Sequence, residues 1–148
     1  MLLTHGLDPD RVDKNGATAL HFASAGGHVG IISVLLDHGA NVNLVNKKGV
    51  TALHCVSSFA CEEIAEILLP RGLDISIADE NGNTVLHVAA KKSTIKMAKM
   101  LLSYGADPYA MNVEGDLPLP CAARACYSLM VETLVDWGYD VNVRNAVG

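Results

Sequence analysis

The sequence has no excess of positive charge. Its 11 lysines and arginines are outnumbered by 16 aspartates and glutamates, which gives a formal net charge of -5. Domains that bind nucleic acid usually present a basic face. We therefore expect no nucleic-acid partner.

Long hydrophobic runs are also missing, although half of the residues are hydrophobic. No apolar run approaches the roughly 20 residues that a membrane-spanning helix needs. The Met-Leu-Leu start has no cationic segment and is too short for a secretory signal. We expect no membrane insertion and a cytoplasmic location, while a nuclear location or secretion into a host cell is also compatible with the sequence.

Signatures of catalysis and of cofactor binding are absent from the sequence. None of the four cysteines has the Cys-x-x-Cys spacing of a zinc or redox site, and with no export signal we expect reduced thiols. No Gly-rich phosphate loop of the Walker type occurs. No nucleophile is accompanied by a base and an orienting group. The sequence therefore predicts no enzyme activity, no cofactor and no metal site.

One motif recurs at a constant interval of 33 residues. Gly-Ala-Thr-Ala-Leu-His-Phe-Ala at residues 16–23 returns in similar form at 49–56 and 82–89, and in weaker form at 115–122. Glycines that end short apolar runs keep the same interval, at Gly6, Gly39, Gly72, Gly105 and Gly138. A fixed period of this length predicts an array of stacked repeats.

The consensus Gly-x-Thr-x-Leu-His-x-Ala, followed by a helix that ends in Leu-Leu-x-x-Gly-Ala, resembles the ankyrin repeat over nearly the whole chain. The resemblance implies an all-α solenoid of helix-turn-helix units joined by β-turn or hairpin loops. We expect one domain, with complete repeats at 13–45, 46–78, 79–111 and 112–144, a partial repeat at 1–12 and the start of another at 145–148. These partial ends predict a window from a longer array or a domain of a larger protein.

Each complete repeat is expected to contain an inner and an outer helix. In the second repeat, Ala60 replaces the glycine between the two helices, and Pro70 falls in the last turn of the outer helix, which we expect to end early or bend. The fourth repeat has Leu117 and Pro120 where the others have threonine and histidine. We still expect a helix there, because the first amide groups of a helix have no intrahelical partner.

The recurring histidines do not predict a metal site. Equivalent residues of stacked repeats lie about 10 Å apart, whereas ligand bonds to zinc are about 2 Å long. In the ankyrin family this histidine hydrogen-bonds the threonine three residues before it and nearby backbone. The resemblance therefore implies structural roles for Thr18, His21, Thr51, His54, Thr84, His87, Gly39, Gly72, Gly105 and Gly138.

Ankyrin repeats bind partners through their β-turn tips and the exposed face of their inner helices, which line a concave groove. The resemblance implies a monomeric protein–protein interaction module, a scaffold or adaptor, whose partner is another protein. The alternative is a regulatory or targeting domain of a larger enzyme or channel. The candidate binding residues are Lys47, Lys48, Phe59, Arg71, Glu80, Asn81, Lys91, Lys92, Tyr104, Glu114, Arg124 and Trp137.

Two lysine pairs are expected to form a basic patch in the groove of repeats two to four, because Lys47 and Lys48 are one repeat away from Lys91 and Lys92. We hypothesise that this groove holds an acidic or mixed peptide, with solvated charge pairs as the alternative. The surface of the first repeat shows no comparable feature.

Three aromatic candidates, Phe59, Tyr104 and Trp137, occupy positions that usually face solvent, and aromatic residues are common at interface hot spots. In the alternative interpretation Phe59 fills the space beside the missing glycine and Trp137 covers a neighbouring repeat.

Overall fold

A computed structural model describes residues 6–56, 60–92, 94–124 and 128–138, without the side chains of 122–124. This part of the chain contains helices and turns but no β-strand. None of its helices has the length and hydropathy required to cross a bilayer. The α-helices are α1 (Ala19–Gly26), α2 (Val29–Asp37), α3 (Cys61–Leu68), α4 (Val85–Lys92), α5 (Ile95–Ser103), α6 (Pro118–Arg124) and α7 (Ser128–Asp136). The predicted all-α helical-repeat fold is confirmed.

The chain divides into two compact units, Met1–Asp74 and Ile75–Gly148. The first unit contains α1 to α3 and the second contains α4 to α7. Each unit therefore has its own helices and its own buried core.

Helices α1 and α2 form the first helix pair of the first unit. Thr18 precedes α1 in an extended conformation, and Gly27 ends α1 in the left-handed region with a φ of 71°. Leu20 and Ala23 of α1 are buried, as is Ile32 of α2. Full burial of a leucine or isoleucine side chain contributes roughly 1.5–3 kcal/mol. These apolar stripes therefore hold the two helices together.

The second repeat differs from the prediction in its first half. Residues 51–56 form turns and not the expected inner α-helix. Their amide groups donate three residues back, as His54 N–H does to the Thr51 carbonyl at 3.1 Å. Residues 55–58 are a cysteine, a valine and two serines, all weak helix formers. Ala60 has a φ of -127°, so the left-handed helix end of the first repeat is not reproduced.

The proline of the second repeat has the predicted effect on its outer helix. α3 ends at Leu68, and a 3-10 turn follows at Leu69–Arg71. Pro70 lies in this turn, where its missing N–H removes no α-helical hydrogen bond. Gly72 then ends the turn with a φ of 87°. The prediction that Pro70 shortens the helix is therefore confirmed.

In the second unit, α4 packs against α5 and α6, and α7 packs against α5 and α6. Leu86 and Leu101 are fully buried, and so are Met130 and Leu134 in the fourth repeat. α6 begins at Pro118, because a proline in the first turn has no intrahelical hydrogen bond to lose. The helix predicted for the fourth repeat is therefore confirmed despite its two prolines.

Candidate functional site

Four β-turns that recur at the 33-residue interval share one pattern of hydrogen bonds. Asp13 Oδ1 accepts from the backbone N–H of Asn15 at 2.8 Å and of Ala17 at 2.9 Å. In the other three turns the Oδ1 atom of Asn46, Asp79 or Asn112 likewise accepts from the backbone N–H groups two and four residues later. Such bonds stabilise a turn through its backbone amides, without using the side chains of its central residues. The central residues are therefore available to solvent in all four turns.

Neighbouring turns are joined by a backbone hydrogen bond in each unit. Lys47 N–H donates to the Asn15 carbonyl at 3.0 Å, and Val113 N–H donates to the Asn81 carbonyl at 2.9 Å. Gly82 permits this approach, because a Cβ there would lie 2.9 Å from Val113 N. Each unit therefore presents two turns as one surface.

The two surfaces have opposite charge. We define the first tip as Lys14, Asn15, Lys47 and Lys48, and the second tip as Glu80, Asn81, Val113 and Glu114; all eight residues are exposed. The first tip has three lysines, whereas the second has two glutamates and an exposed valine. The same backbone arrangement thus supports a basic surface in one unit and an acidic surface in the other.

A threonine–histidine pair lies beneath the turns of the first three repeats. The distances from threonine Oγ1 to histidine Nδ1 are 2.9 Å for Thr18 and His21, 2.8 Å for Thr51 and His54, and 3.0 Å for Thr84 and His87. The backbone N–H of each threonine also donates to the same Nδ1. The pair forms in the second repeat even though no inner α-helix follows Thr51.

Two of these histidines also connect neighbouring repeats. His21 Nε2 lies 2.8 Å from the Val50 carbonyl, and His87 Nε2 lies 3.1 Å from the Asp116 carbonyl. A carbonyl only accepts, so Nε2 carries the proton and Nδ1 accepts from the threonine N–H. Both nitrogens are therefore used within the protein. This arrangement indicates that both imidazole rings have a structural role and are not metal ligands.

Burial lowers the pKa of His87 below its usual value of 6.5, although the hydrogen bond to the Asp116 backbone opposes the shift. Lys91 lowers the pKa further through charge repulsion. Both effects favour the neutral imidazole that the hydrogen bonds require. Among the described residues, no group of three or more His, Cys, Asp or Glu side chains is arranged to hold a metal ion.

The candidate binding residues whose side chains are described are all exposed: Lys47, Lys48, Arg71, Glu80, Asn81, Lys91, Lys92, Tyr104, Glu114 and Trp137. The turn-to-turn bond brings Asn81 beside the turn that contains Glu114. Phe59 and the side chain of Arg124 lie outside the described part of the chain.

Arg71 and Lys91 are candidates that also contact another side chain of the chain. Arg71 Nη2 forms an ion pair with Asp37 Oδ1 at 3.0 Å. Lys91 Nζ donates to Asn83 Oδ1 at 3.2 Å. The predicted patch of Lys47 and Lys48 with Lys91 and Lys92 combines residues of different units, and it stays a prediction.

Sequence reasoning left out three exposed residues near the tips. Lys14 occupies the turn position equivalent to Lys47 in the preceding repeat, but we expected no binding feature on the surface of that repeat. Tyr109 and Met111 precede the turn of the fourth repeat and are 45% and 55% exposed. The signal for Tyr109 is a change from polar residues to a large aromatic residue at a fixed repeat position, whereas the position of Met111 is apolar in each preceding repeat as well.

A protein-family model described as ankyrin repeats (three copies) matches residues 1–79 and 72–145. No curated protein matches the chain. Ankyrin repeats are generally protein–protein interaction modules and are typically non-catalytic. On the strength of this match and of the repeated helix pairs, the chain belongs to the ankyrin-repeat family.

Proposed function

We propose that this chain is a protein-binding module whose first tip holds an acidic segment of a partner protein. The observation that carries the proposal is the hydrogen bond from Lys47 N–H to the Asn15 carbonyl at 3.0 Å. It fixes two lysine-bearing turns side by side. Lys14, Lys47 and Lys48 are thereby presented together on a backbone that does not need to reorganise.

The charge of the first tip contrasts with that of the chain. Three exposed ammonium groups lie on neighbouring turns of a protein whose net charge is -5. Complementary charges steer association and fix the register of a bound segment, while like charges reject wrong partners. Exposed pairs of this kind are screened by salt. Binding to the first tip should therefore weaken as ionic strength rises.

The proposal extends to the concave groove formed by turn tips and inner helices. In the second unit we assign partner contacts to Lys91 and Lys92 at the end of α4 and to the exposed aromatic residues Tyr104 and Trp137. In this proposal the chain acts as a scaffold or adaptor. As a regulatory or targeting domain of a larger enzyme or channel, it would use the same residues.

A peptide phage-display selection on the purified chain tests the first tip. We expect acidic peptides to be enriched on the wild-type chain. The variant Lys14→Glu/Lys47→Glu/Lys48→Glu should bind the enriched peptides at least about tenfold more weakly, because it places like charges opposite their carboxylates. Fluorescence anisotropy with synthetic copies of the peptides measures the loss.

The matched control is Lys96→Glu/Lys99→Glu, which reverses two exposed lysines on α5, away from the turns. It should leave peptide affinity unchanged. Enrichment without any acidic preference, or equal losses in the tip variant and the control, would contradict the proposal.

A further inference from the structure

Three large apolar side chains lie at and before the second tip. Tyr109 is 45% exposed, Met111 is 55% exposed and Val113 is 70% exposed. Between the last two, Asn112 is only 7% exposed. Tyr109 and Val113 lie in turns, and the residues between them are outside helices and turns. Alternation of exposed and covered side chains is typical of a segment with one face in solvent. We call Tyr109, Met111 and Val113 the apolar row.

The repeat fold does not require this row. The residues at the same three positions of the earlier loops are Asp10, Val12 and Lys14; Asn43, Val45 and Lys47; and Ser76, Ala78 and Glu80. At these three positions each earlier loop has at most one large apolar residue, yet each loop closes the same turn. The row is therefore a property of this loop and not of the architecture.

Hydrogen bonds of the Asn112 side chain hold the backbone of the apolar row. Its Nδ2 donates to Asn83 Oδ1 at 3.1 Å, and its Oδ1 accepts from the backbone of Glu114 at 3.0 Å and of Asp116 at 2.8 Å. Val113 N–H is held by the Asn81 carbonyl. These bonds fix the backbone, so the exposed apolar groups are preorganised. Preorganised groups lose less entropy when they bind a partner.

The charges around the row select the kind of partner. Glu80 and Glu114 are the exposed ionisable residues of the second tip, and both are acidic. The nearby Lys91 directs its ammonium group at Asn83 Oδ1, 3.2 Å away. Apolar groups beside carboxylates complement a segment that combines apolar side chains with positive charge.

We propose that the apolar row is the docking surface for a basic segment of a partner protein, in which a large apolar side chain is flanked by arginine or lysine. The apolar side chain packs on Met111 and Val113, and the flanking cations pair with Glu80 and Glu114. Methionine adapts its shape to such a side chain, and tyrosine is common at interface hot spots. The proposal shares with the proposed function only the premise that the chain binds proteins, since its residues and the charge of its partner differ.

The test uses a fluorescein-labelled peptide in which two arginines flank a leucine, measured by fluorescence anisotropy on the purified full chain. We expect saturable binding to the wild type. Val113→Ser, which removes an apolar contact without changing the charge, and Glu80→Lys/Glu114→Lys, which reverses the charge, should each weaken binding at least about tenfold. A peptide with serine in place of the leucine should bind the wild type correspondingly more weakly.

Two variants on α7 serve as matched controls. Leu129→Ser makes the same kind of change at another exposed apolar residue, and Glu132→Lys/Asp136→Lys reverses two exposed carboxylates. Both should bind the peptide as the wild type does, and urea unfolding confirms that each variant is folded. Lys47→Glu/Lys48→Glu should also retain the peptide, so this proposal and the proposed function can fail separately.

Three outcomes would overturn the proposal. The first is an absence of saturable binding to the wild-type chain. The second is an equal loss of affinity in the row variants and the α7 controls. The third is a wild-type dimer in sedimentation that Val113→Ser dissociates, because a second copy of the chain would then cover the row.

Discussion

Each of the two units joins its repeats through one histidine and one turn-to-turn bond. In the first unit, His21 donates to the Val50 carbonyl at 2.8 Å, and in the second His87 donates to the Asp116 carbonyl at 3.1 Å. The turn-to-turn bonds use only backbone N–H and carbonyl groups. Because no tip side chain takes part in these bonds, the tips can differ in charge while the repeats stack in the same way.

The two units differ in how closely the two neighbouring turns within a unit approach each other. A Cβ at Gly16 would lie 3.2 Å from Lys47 N, whereas a Cβ at Gly82 would lie 2.9 Å from Val113 N and 3.0 Å from Asn112 Cα. Real Cβ atoms essentially never come closer than 3.0 Å to such atoms. The second unit should therefore tolerate a larger residue at this position less well than the first.

Alanine substitutions at three glycines would test this difference, and we expect the largest effects here. Gly105 has a φ of 89° and open space around its Cβ position, so Gly105→Ala reports backbone strain alone. We expect it to lower the free energy of unfolding by about 1 kcal/mol. Gly16→Ala should cost about 2 kcal/mol and Gly82→Ala about 3 kcal/mol, because steric repulsion adds to the strain.

Urea unfolding monitored by circular dichroism measures these three values. Equal losses in the free energy of unfolding for the alanine variants of Gly16, Gly82 and Gly105 would show that backbone strain alone causes the loss. The closer approach of the turns in the second unit would then have no energetic consequence.

The buried histidine of the second unit predicts a dependence of stability on pH. Burial lowers the pKa of His87 below 6.5, so the folded chain keeps it neutral while the unfolded chain binds a proton as the pH falls. The contribution of neutral His87 to the free energy of unfolding is fully present above about pH 6.5. It is lost progressively below that pH, because the unfolded state then binds more protons than the folded state. The loss reaches at most about 1.4 kcal/mol per pH unit.

The variant His87→Gln separates this contribution from that of other groups. Its side-chain amide can still donate to the Asp116 carbonyl, but it does not titrate. We expect a smaller loss of stability than in the wild type when urea midpoints are compared between neutral and mildly acidic pH. If the wild type and the variant lose stability in parallel, His87 is not the group responsible.

The sequence contained enough information to predict the repeat fold, because one motif recurs at a constant interval and local residues determine each turn. The threonine–histidine pairs follow from residues three positions apart. The shortening of α3 follows from Pro70 alone. These features depend on neighbours in sequence, which a repeat alignment reveals directly.

The features that sequence reasoning missed depend on several weak preferences acting together. The turns at 51–56 result from a run of poor helix formers combined with the loss of one glycine, and neither defect excludes a helix alone. The apolar row was missed because Tyr109 and Met111 precede the turn that the family pattern emphasises. The backbone beside Met111 is held by Asn112, whose side chain bonds Asn83 in the preceding repeat.

The smallest predicted effect concerns the ends of the outer helices, where the two units again differ. In the first unit Arg71 pairs with Asp37 at 3.0 Å, with side chains 44% and 64% exposed. The equivalent positions of the second unit hold Ser103 and Trp137, so no ion pair can form there. Exposed pairs usually contribute about 0–1 kcal/mol, because solvent screens the charges and two long side chains lose freedom.

A double-mutant cycle with Arg71→Ala and Asp37→Ala should therefore give a coupling energy below about 1 kcal/mol. The coupling should fall further as salt is added. A coupling above about 2 kcal/mol that is insensitive to salt would mean that this pair holds the first and second repeats together. A small coupling leaves Arg71 available to a partner, because the chain loses little when the guanidinium group leaves Asp37 for another carboxylate.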